Sequence, residues 1–241
     1  MKLSVIIPAY NEQTVLKQTL LEVKGYLQKN YPGQSEIIVV DDGSTDSTAS
    51  IAEQDKDVKL IRLGSNQGKG AAVKKGVLAA GGEKILFMDA DNSTSIDELQ
   101  KWRADWDAFD ILIASRALPS SIITVKQPFI KVFFGKLGNL LIQTLLLPGI
   151  KDSRCGFKLY PAAIKPLFEQ LQFKGFSFDD EILFLASKAG LKIKEEPVRW
   201  VNNFDSKVRG SDYITTLFDI FRVRLTYIMG GYKIADKVNN S

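Results

Sequence analysis

The stretch Lys84-Ile85-Leu86-Phe87-Met88-Asp89-Ala90-Asp91-Asn92 decides the fold class. Its apolar run is typical of a strand buried on both faces of a parallel sheet, and the run stops at two aspartates. In open α/β sheets, ligands bind in the crevice outside the carboxyl ends of the strands. The sequence therefore places Asp89 and Asp91 where a functional site is expected.

Two carboxylates at this spacing suit a hard divalent cation. Mg²⁺ and Mn²⁺ prefer oxygen ligands, and Mg²⁺ commonly uses one or two carboxylates together with substrate phosphates. The same residues also suit a turn and a helix cap, because Asp, Asn, Ser and Thr favour both. Taken alone, the segment 89–94 leaves a metal site and a structural turn both open.

Strands and helices alternate through the first half of the chain. The predicted strands are 2–8, 36–40, 58–63, 84–88 and 111–114, and the predicted helices are 15–27, 48–51, 71–80 and 95–106. This alternation predicts an α/β domain with a mostly parallel central sheet flanked by helices. Beyond it, acids at 179–181 suit a helix start, 193–201 favours a strand, and 213–229 favours a helix with one apolar stripe.

Composition excludes several kinds of chemistry. The 241 residues contain one cysteine, Cys155, and no histidine, which excludes Ser-His triads, zinc sites built on His or Cys clusters, and disulfides within the chain. A net charge of +4 is too small to indicate nucleic acid. The segment 64–70 imitates a phosphate-binding P-loop but is one residue short and lacks the Ser or Thr that ligates Mg²⁺.

No transmembrane helix is predicted. The longest uncharged apolar segment, 137–150, holds 14 residues, whereas a membrane span needs roughly 20. The N-terminal apolar run ends at Pro8 and is too short for a signal-peptide core. We therefore expect a cytoplasmic protein.

Seven segments of the chain form an ordered set of motifs. They are Pro8–Glu12, Asp41–Asp46, Asn66–Gly70, Asp89–Asp91, Ser115-Arg116, Asp152–Tyr160 and Phe178–Glu181. This set resembles family 2 glycosyltransferases of the GT-A fold. The similarity covers about residues 3 to 210, and the motifs stand in family order, which is more specific than any single motif. It is greatest to the branch of dolichyl-phosphate mannose synthases and dolichyl-phosphate β-glucosyltransferases, with segments 155–158 and 178–181 favouring the glucosyl side.

The resemblance implies a nucleotide-sugar site at the first strand ends. Its expected residues are Pro8, Ala9, Tyr10, Glu12, Asp41, Asp42, Lys69, Asp89, Ala90 and Asp91. Asp89 and Asp91 would bind the donor diphosphate through Mg²⁺ or Mn²⁺, with Asp91 the more direct ligand. UDP-glucose is the preferred donor and GDP-mannose the alternative. Capping of a helix is the competing interpretation of the aspartates at 41–46.

The resemblance also implies a polyprenyl phosphate acceptor and an inverting transfer. An ionised phosphate oxygen needs no strong base, which agrees with the missing histidine. Two anions must then be held in line, and Arg116 is the first candidate because its planar fork matches phosphate. Lys131 is the second candidate, and Lys126 and Lys207 follow. If the acceptor were a saccharide hydroxyl, Asp179 or Glu181 would have to serve as base.

The C-terminal part raises the question of the membrane. We divide the chain into a glycosyltransferase domain, residues 1–210, and an amphipathic helix with a tail, residues 211–241, that faces a membrane. The apolar stretch 128–147 also carries lysines, and such compositions fit an interfacial surface on the cytoplasmic side. A membrane-protein partner could supply an anchor instead. Rival hypotheses are a non-catalytic nucleotide-sugar-binding scaffold and a nucleotidyltransferase.

Overall fold

The computed structural model describes residues 1–124, 138–201 and 210–234. Over 210–217 it describes the backbone and, of the side chains, that of Thr215 alone. Its strands are β1 Leu3–Ala9, β2 Ser35–Asp41, β3 Val58–Arg62, β4 Lys84–Met88, β5 Ile111–Ser115, β6 Ile122–Ile123, β7 Phe157–Pro161, β8 Ile193–Pro197 and β9 Arg199–Trp200. Its helices are α1 Leu16–Asn30, α2 Thr48–Glu53, α3 Lys69–Ala79, α4 Glu98–Lys101, α5 at 138–145, α6 Lys165–Glu169, α7 Phe178–Lys188 and α8 Gly210–Ile228.

Seven strands form one central sheet in the order β3-β2-β1-β4-β7-β5-β8. All neighbouring strands run parallel except at β7, which pairs antiparallel with both β4 and β5. Because β7 runs the opposite way, its first residue Phe157 lies beside Met88, the last residue of β4. The segment before β7 therefore reaches the same sheet edge as the carboxyl ends of the parallel strands. β6 and β9 form a separate parallel pair.

The sheet has a hydrophobic core on each face. Alternate residues of β1 illustrate the division, with Ile6 in one core and Val5 and Ile7 in the other. Helices α3, α6, α7 and part of α8 cover the first face, whereas α1, Ala52 of α2 and Leu99 of α4 belong to the second. The predicted α/β fold, with a mostly parallel sheet between helices, is confirmed.

Local structure departs from the prediction in three places. The helix expected over 95–106 is a short α4 followed by a 3-10 turn, Arg103–Asp105. The two tryptophans of this segment have separate partners, since Trp102 packs edge-on against Phe157 and Trp106 stacks on Tyr31. The strand expected over 193–201 divides at Pro197 into β8 and β9, which belong to different sheets.

The third departure is β7, which was not predicted as a strand. Its second residue is Lys158, a fully buried lysine, and a charge in that position interrupts the apolar pattern that indicates a buried strand. Phe157, Leu159 and Tyr160 around it are buried.

Several expectations lie outside the described residues. They concern Lys126, Lys131, Lys207 and the first half of the stretch 128–147. In the part of the chain that is described, no helix has the length and apolar character needed to cross a bilayer. The division of the chain at residue 210 stays a prediction.

Candidate active site

Charged side chains collect where the parallel strands end. Asp41 closes β2, while Asp89 and Arg116 directly follow β4 and β5. Lys69 opens α3, and Asp179 and Glu181 lie in the first turn of α7. The segment 152–156 joins them because it precedes the antiparallel β7. Charged residues of both signs therefore gather at the sheet edge that strand direction predicts.

Asp89 is held from two sides. Its backbone N–H donates to the carbonyl of Gly156 at 2.9 Å, and Lys69 Nζ lies 2.7 Å from its Oδ1. Gly156 passes so close that a Cβ built there would lie 1.9 Å from Asp89 Oδ2. The glycine in the Cys-Gly-Phe segment is therefore required by the position of the carboxylate.

Lys69 is the cation nearest to this carboxylate pair. Burial lowers its pKa, but Asp89 and Asp179 raise it by more, so that the pKa lies above its ordinary value. The ammonium also lies over the rings of Phe87 and Phe176, at 5.3 and 5.9 Å from their centroids. Lys69 is thus kept charged at the entrance of the crevice, where it can meet a phosphate.

The Asp91 carboxyl is partly buried and lies near a second carboxylate, that of Asp89. Burial and the neighbouring Asp89 raise the pKa of its carboxyl, while the backbone N–H of Ser93, 2.9 Å from Oδ1, lowers it in part. Two adjacent carboxylates that repel each other form a donor set which a divalent cation would stabilise.

Asp41 and Asp42 lie beneath the crevice and organise its loops. Asp42 is almost fully buried, and its two oxygens accept the backbone N–H groups of Gln67 and Gly68 at 2.8 and 2.9 Å. Asp41 accepts the N–H of Ser44 at 3.2 Å. These contacts position the loop that precedes Lys69. Whether either carboxylate also touches a nucleotide stays a prediction.

The loop after β1 is tied to the loop after β2. Asn11 has a left-handed backbone with φ of 53°, its N–H donates to Ser44 Oγ, and its Oδ1 accepts the N–H of Thr45. The N–H of Glu12 donates to Thr48 Oγ1 at 2.7 Å. The predicted nucleotide residues Pro8, Ala9, Tyr10 and Glu12 thus border the same crevice as Asp41 and Asp42, with Pro8 and Ala9 buried and Tyr10 and Glu12 partly exposed.

Arg116 forms a two-pronged ion pair with Asp152. Its Nε and Nη2 lie 2.7 and 2.9 Å from the two carboxylate oxygens, and its backbone N–H donates to the same group. Trp200 supports the guanidinium from one face at 5.4 Å. Burial opposes ionisation of Asp152, but Arg116 outweighs it and lowers the pKa of that carboxyl. No described residue accepts a hydrogen bond from Nη1.

Two further pairs support the crevice from below. Lys158 Nζ donates at 2.6 Å to both Asp179 Oδ1 and the carbonyl of Cys155. Arg154 pairs with Asp180 at 2.6 Å, and Ser153 Oγ donates to the other oxygen of Asp180. Burial raises the pKa of Asp179 although Lys158 and Lys69 oppose the rise. Asp179 is only 2% exposed, so it faces the lysines rather than solvent.

Glu181 is fully buried and holds three donors. Its oxygens accept the N–H groups of Gln172 and Phe173 and the hydroxyl of Tyr232, at 2.8–3.0 Å. Burial is the main reason that its pKa is raised. The geometry gives Glu181 an organising role for the segment before α7.

The carboxylates fit a divalent cation of the predicted kind. Within the described residues, no cluster of three or more acidic or thiol side chains could hold a metal by itself. Asp89 and Asp91 therefore match the mode in which a cation takes one or two carboxylates and completes its shell with water and substrate phosphates.

The sequence profile of glycosyl transferase family 2 matches residues 4–164. The chain belongs to this family. A dolichyl-phosphate beta-glucosyltransferase of Dictyostelium discoideum is 35% identical, with 96% of this chain and 76% of the relative covered. The proteins of that name from Saccharomyces cerevisiae and Homo sapiens are each 32% identical, covering 96% and 97% of this chain and 76% and 78% of theirs. The predicted resemblance is confirmed.

Solved structures show that this glycosyltransferase shares its fold with enzymes of low sequence identity. Mannosyl-3-phosphoglycerate synthase from Rubrobacter xylanophilus superposes with a TM-score of 0.70 at 17% identity, over 97% of this chain and 76% of that one. The UDP complex of glucosyl-3-phosphoglycerate synthase from Mycobacterium tuberculosis gives 0.66 at 15% identity, over 93% and 79%.

Sequence reasoning assigned no role to several residues of this glycosyltransferase site. Asp152, Arg154 and Lys158 were noted only as members of matching segments and Asp180 only as an acid at a helix start, yet all four form ion pairs in the crevice wall. The available signal was the density of charge directly before a buried strand. Cys155 is buried, and burial raises the pKa of its thiol to about 11.

Proposed function

We propose that this glycosyltransferase transfers glucose, with inversion, from UDP-glucose to a polyprenyl phosphate of the dolichyl type. The names of the relatives at 32–35% identity support both the sugar and the acceptor. The uridine donor is supported by a fold neighbour solved with UDP. We place the enzyme at the cytoplasmic face of a membrane, where such an acceptor is reached.

One observation carries the proposal. Two cations, Lys69 paired with Asp89 and Arg116 paired with Asp152, are held in position at the ends of β4 and β5. The reaction brings together a donor diphosphate and an acceptor phosphate, which repel each other. Pre-positioned cations offset that repulsion without reorganisation during the reaction.

The chemistry requires positioning more than proton transfer. A phosphate oxygen of the acceptor, already ionised near neutral pH, attacks C1 of glucose; the bond from C1 to the UDP oxygen breaks, and its electron pair leaves with UDP. Asp89 and Asp91 would hold Mg²⁺ or Mn²⁺, which neutralises charge on the leaving diphosphate. Lys69 would contact the diphosphate, and Arg116, with Lys131 as a second candidate, the acceptor phosphate.

The acids of α7 support a phosphate acceptor over a saccharide hydroxyl. A hydroxyl would need a base with access to it, whereas Asp179 is paired with Lys158 and Glu181 accepts three hydrogen bonds in the interior. Both then act by organising the site. Asp179→Asn should keep more activity than Asp91→Asn, which a side-by-side measurement of kcat would test.

Thermal unfolding with UDP, GDP, UDP-glucose and GDP-mannose, each with and without Mn²⁺, tests the donor site. A ligand that binds only the folded state raises the stability by RT ln(1 + [L]/Kd). We expect a Mn²⁺-dependent shift with the uridine compounds that Asp91→Ala removes. Asp107→Ala is the matched control, because Asp107 is an exposed acidic residue that does not lie at the end of a strand.

Each outcome has a definite meaning. A guanosine-only shift would refute UDP-glucose as donor. No shift with any nucleotide would refute both the catalytic proposal and the rival nucleotide-sugar-binding scaffold. Transfer of radiolabelled glucose to a short-chain prenyl phosphate, with loss of the label from UDP-glucose, then tests the acceptor directly.

A further inference from the structure

Helix α8 buries one side and exposes a continuous apolar stripe on the other. Ile220 and Val223 lie in the core at 1% exposure, and Tyr227 packs edge-on against Phe184. The opposite side carries five large apolar side chains with exposures of 55–75%, namely Phe218, Phe221, Leu225, Ile228 and Met229. At 3.6 residues per turn they fall within an arc of about 100°. A contiguous exposed apolar patch of this kind marks an interaction surface.

Basic residues border this stripe. At helical spacing, Arg222 and Arg224 fall on either side of it; the side chain of Arg222 is 69% exposed, and Arg224 is half-buried. From Ile220 to the end of the chain, the sequence contains four basic residues and one acidic residue, Asp236. The basic residues are Arg222, Arg224, Lys233 and Lys237. Asp219 is buried, accepts a hydrogen bond from Ser177 through one oxygen, and lies 3.5 Å from Arg222 Nη1 through the other. An apolar stripe between cations complements a bilayer surface with anionic headgroups.

The helix is fastened to the part of the fold that positions Lys69. Ser177 Oγ donates to Asp219 at 2.7 Å, Tyr232 donates to Glu181, and Arg222 lies 5.0 Å from the ring of Phe173. These contacts frame the segment 172–178.

That segment in turn touches the start of α3. The carbonyl of Lys174 accepts the N–H of Ala71 at 3.2 Å, and a Cβ on Gly68 would lie 2.5 Å from the same carbonyl. The apolar stripe and the donor site therefore belong to one continuous set of contacts.

We propose that the exposed face of α8 seats the enzyme on an anionic lipid bilayer, in a fixed orientation relative to the crevice. This inference rests on the proposed function, because a polyprenyl phosphate lies in a bilayer and an enzyme that uses it must dock there. The apolar stripe enters the headgroup boundary and the flanking arginines contact lipid phosphates. Because the segment 172–178 connects α8 to the start of α3, it keeps the crevice at a constant distance from the bilayer surface.

Vesicle co-sedimentation of the full chain tests docking. Vesicles of phosphatidylcholine alone are compared with vesicles that also contain phosphatidylglycerol, at low and high salt. The test variant is Phe221→Asp/Leu225→Asp, and the matched control is Leu21→Asp, since Leu21 is 53% exposed on α1. We expect the wild type and the control to bind anionic vesicles, and the double variant to bind at least tenfold more weakly. Arg222→Glu should weaken binding by roughly fivefold or more, and high salt should weaken wild-type binding.

Activity with two acceptors separates docking from catalysis. With a short-chain, water-soluble prenyl phosphate the double variant should retain wild-type turnover, whereas with a long-chain polyprenyl phosphate in vesicles its turnover should fall in proportion to binding. If the wild type turns over the short-chain acceptor but the double variant binds vesicles equally well, docking through α8 is refuted and the proposed function stands. If the wild type transfers glucose to neither acceptor, the proposed function itself fails.

Sedimentation velocity of the lipid-free protein tests whether a second copy of the chain, rather than a bilayer, covers this face of α8. A wild-type dimer that the double substitution dissociates, with vesicle binding unaffected, would assign the stripe to a second copy of the chain and overturn the proposal. A wild-type monomer supports the lipid assignment.

Discussion

Gly156→Ala should inactivate the enzyme while leaving it folded. A Cβ at this position would lie 1.9 Å from Oδ2 and 2.2 Å from Cγ of Asp89. Ordinary contact begins near 3.4 Å, so the carboxylate must retreat by about 1.5 Å. Residue 156 is not among those with a left-handed backbone, so alanine causes no strain of its own. The steric conflict is therefore relieved by movement of the Asp89 side chain.

The cost to folding should be small and the cost to catalysis large. The side chain of Asp89 is 32% exposed and can turn toward solvent; losing its ion pair with Lys69 should cost about 1 kcal/mol or less. A misplacement of about 1 Å in a reacting site can cost roughly 100-fold in rate, which corresponds to about 2.7 kcal/mol of barrier. We therefore expect kcat/KM to fall about 100-fold and the Mn²⁺-dependent nucleotide shift to shrink.

Gly25→Ala is the matched control, because no heavy atom lies within 4 Å of a Cβ at Gly25. That substitution lies inside α1 and should raise the free energy of unfolding by about 1 kcal/mol without affecting turnover. Glucose transfer and urea unfolding are measured for both variants. Wild-type kcat/KM in Gly156→Ala would refute the requirement for Asp89 in its present position. An unfolded Gly156→Ala would refute the argument that Asp89 yields.

Three other predictions concern the paired charges and the thiol. Lys158→Met should lower the free energy of unfolding by about 3–5 kcal/mol, because it leaves Asp179 buried without its partner; an additional Asp179→Leu should recover part of the loss in urea titrations, and no recovery would contradict the pairing. Asp152→Asn should cost about 2–3 kcal/mol at pH 7, since it removes charged hydrogen bonds to Arg116. Because the folded-state pKa of Asp152 lies below the ordinary 3.8, that stabilisation is complete above pH 3.8 and disappears as the pH falls through the folded value, so the two unfolding curves should converge in acid. Cys155 should react with iodoacetamide at pH 8 at least 100-fold more slowly in the native than in the urea-unfolded protein. The reason is that the thiol is buried and that burial raises its pKa from 9.0 to about 11. Equal rates would show that the thiol is accessible.

The strands that build the crevice could be predicted because their signals are local. β1, β2, β4 and β5 are apolar runs that stop at Pro, Asp or Ser-Arg, and strand direction alone brings those ends together. β7 could not be found this way, because the charge of Lys158 makes physical sense only beside Asp179, which is 21 residues away. The helix over 95–106 failed for a related reason, since the partners of Trp102 and Trp106 come from distant parts of the chain and tertiary packing overrides local propensity.

The same limit applies to the acids of the site, which the sequence presents as equivalent. The structure separates them by their partners: Asp152, Asp179 and Asp180 each hold one cation of the crevice wall, while Asp89 and Asp91 stand next to each other at the strand end. Carboxylates of the first kind hold Arg116, Lys158 and Arg154 in place before any substrate arrives, which is the preorganisation that the proposed transfer between two anions needs. In the second kind, repulsion from Asp89 raises the pKa of Asp91 although Asp89 also pairs with Lys69, and a divalent cation would relieve that repulsion. An acid of the wall should therefore be replaceable by a group that still fixes its cation, whereas Asp91 should tolerate no neutral substitute.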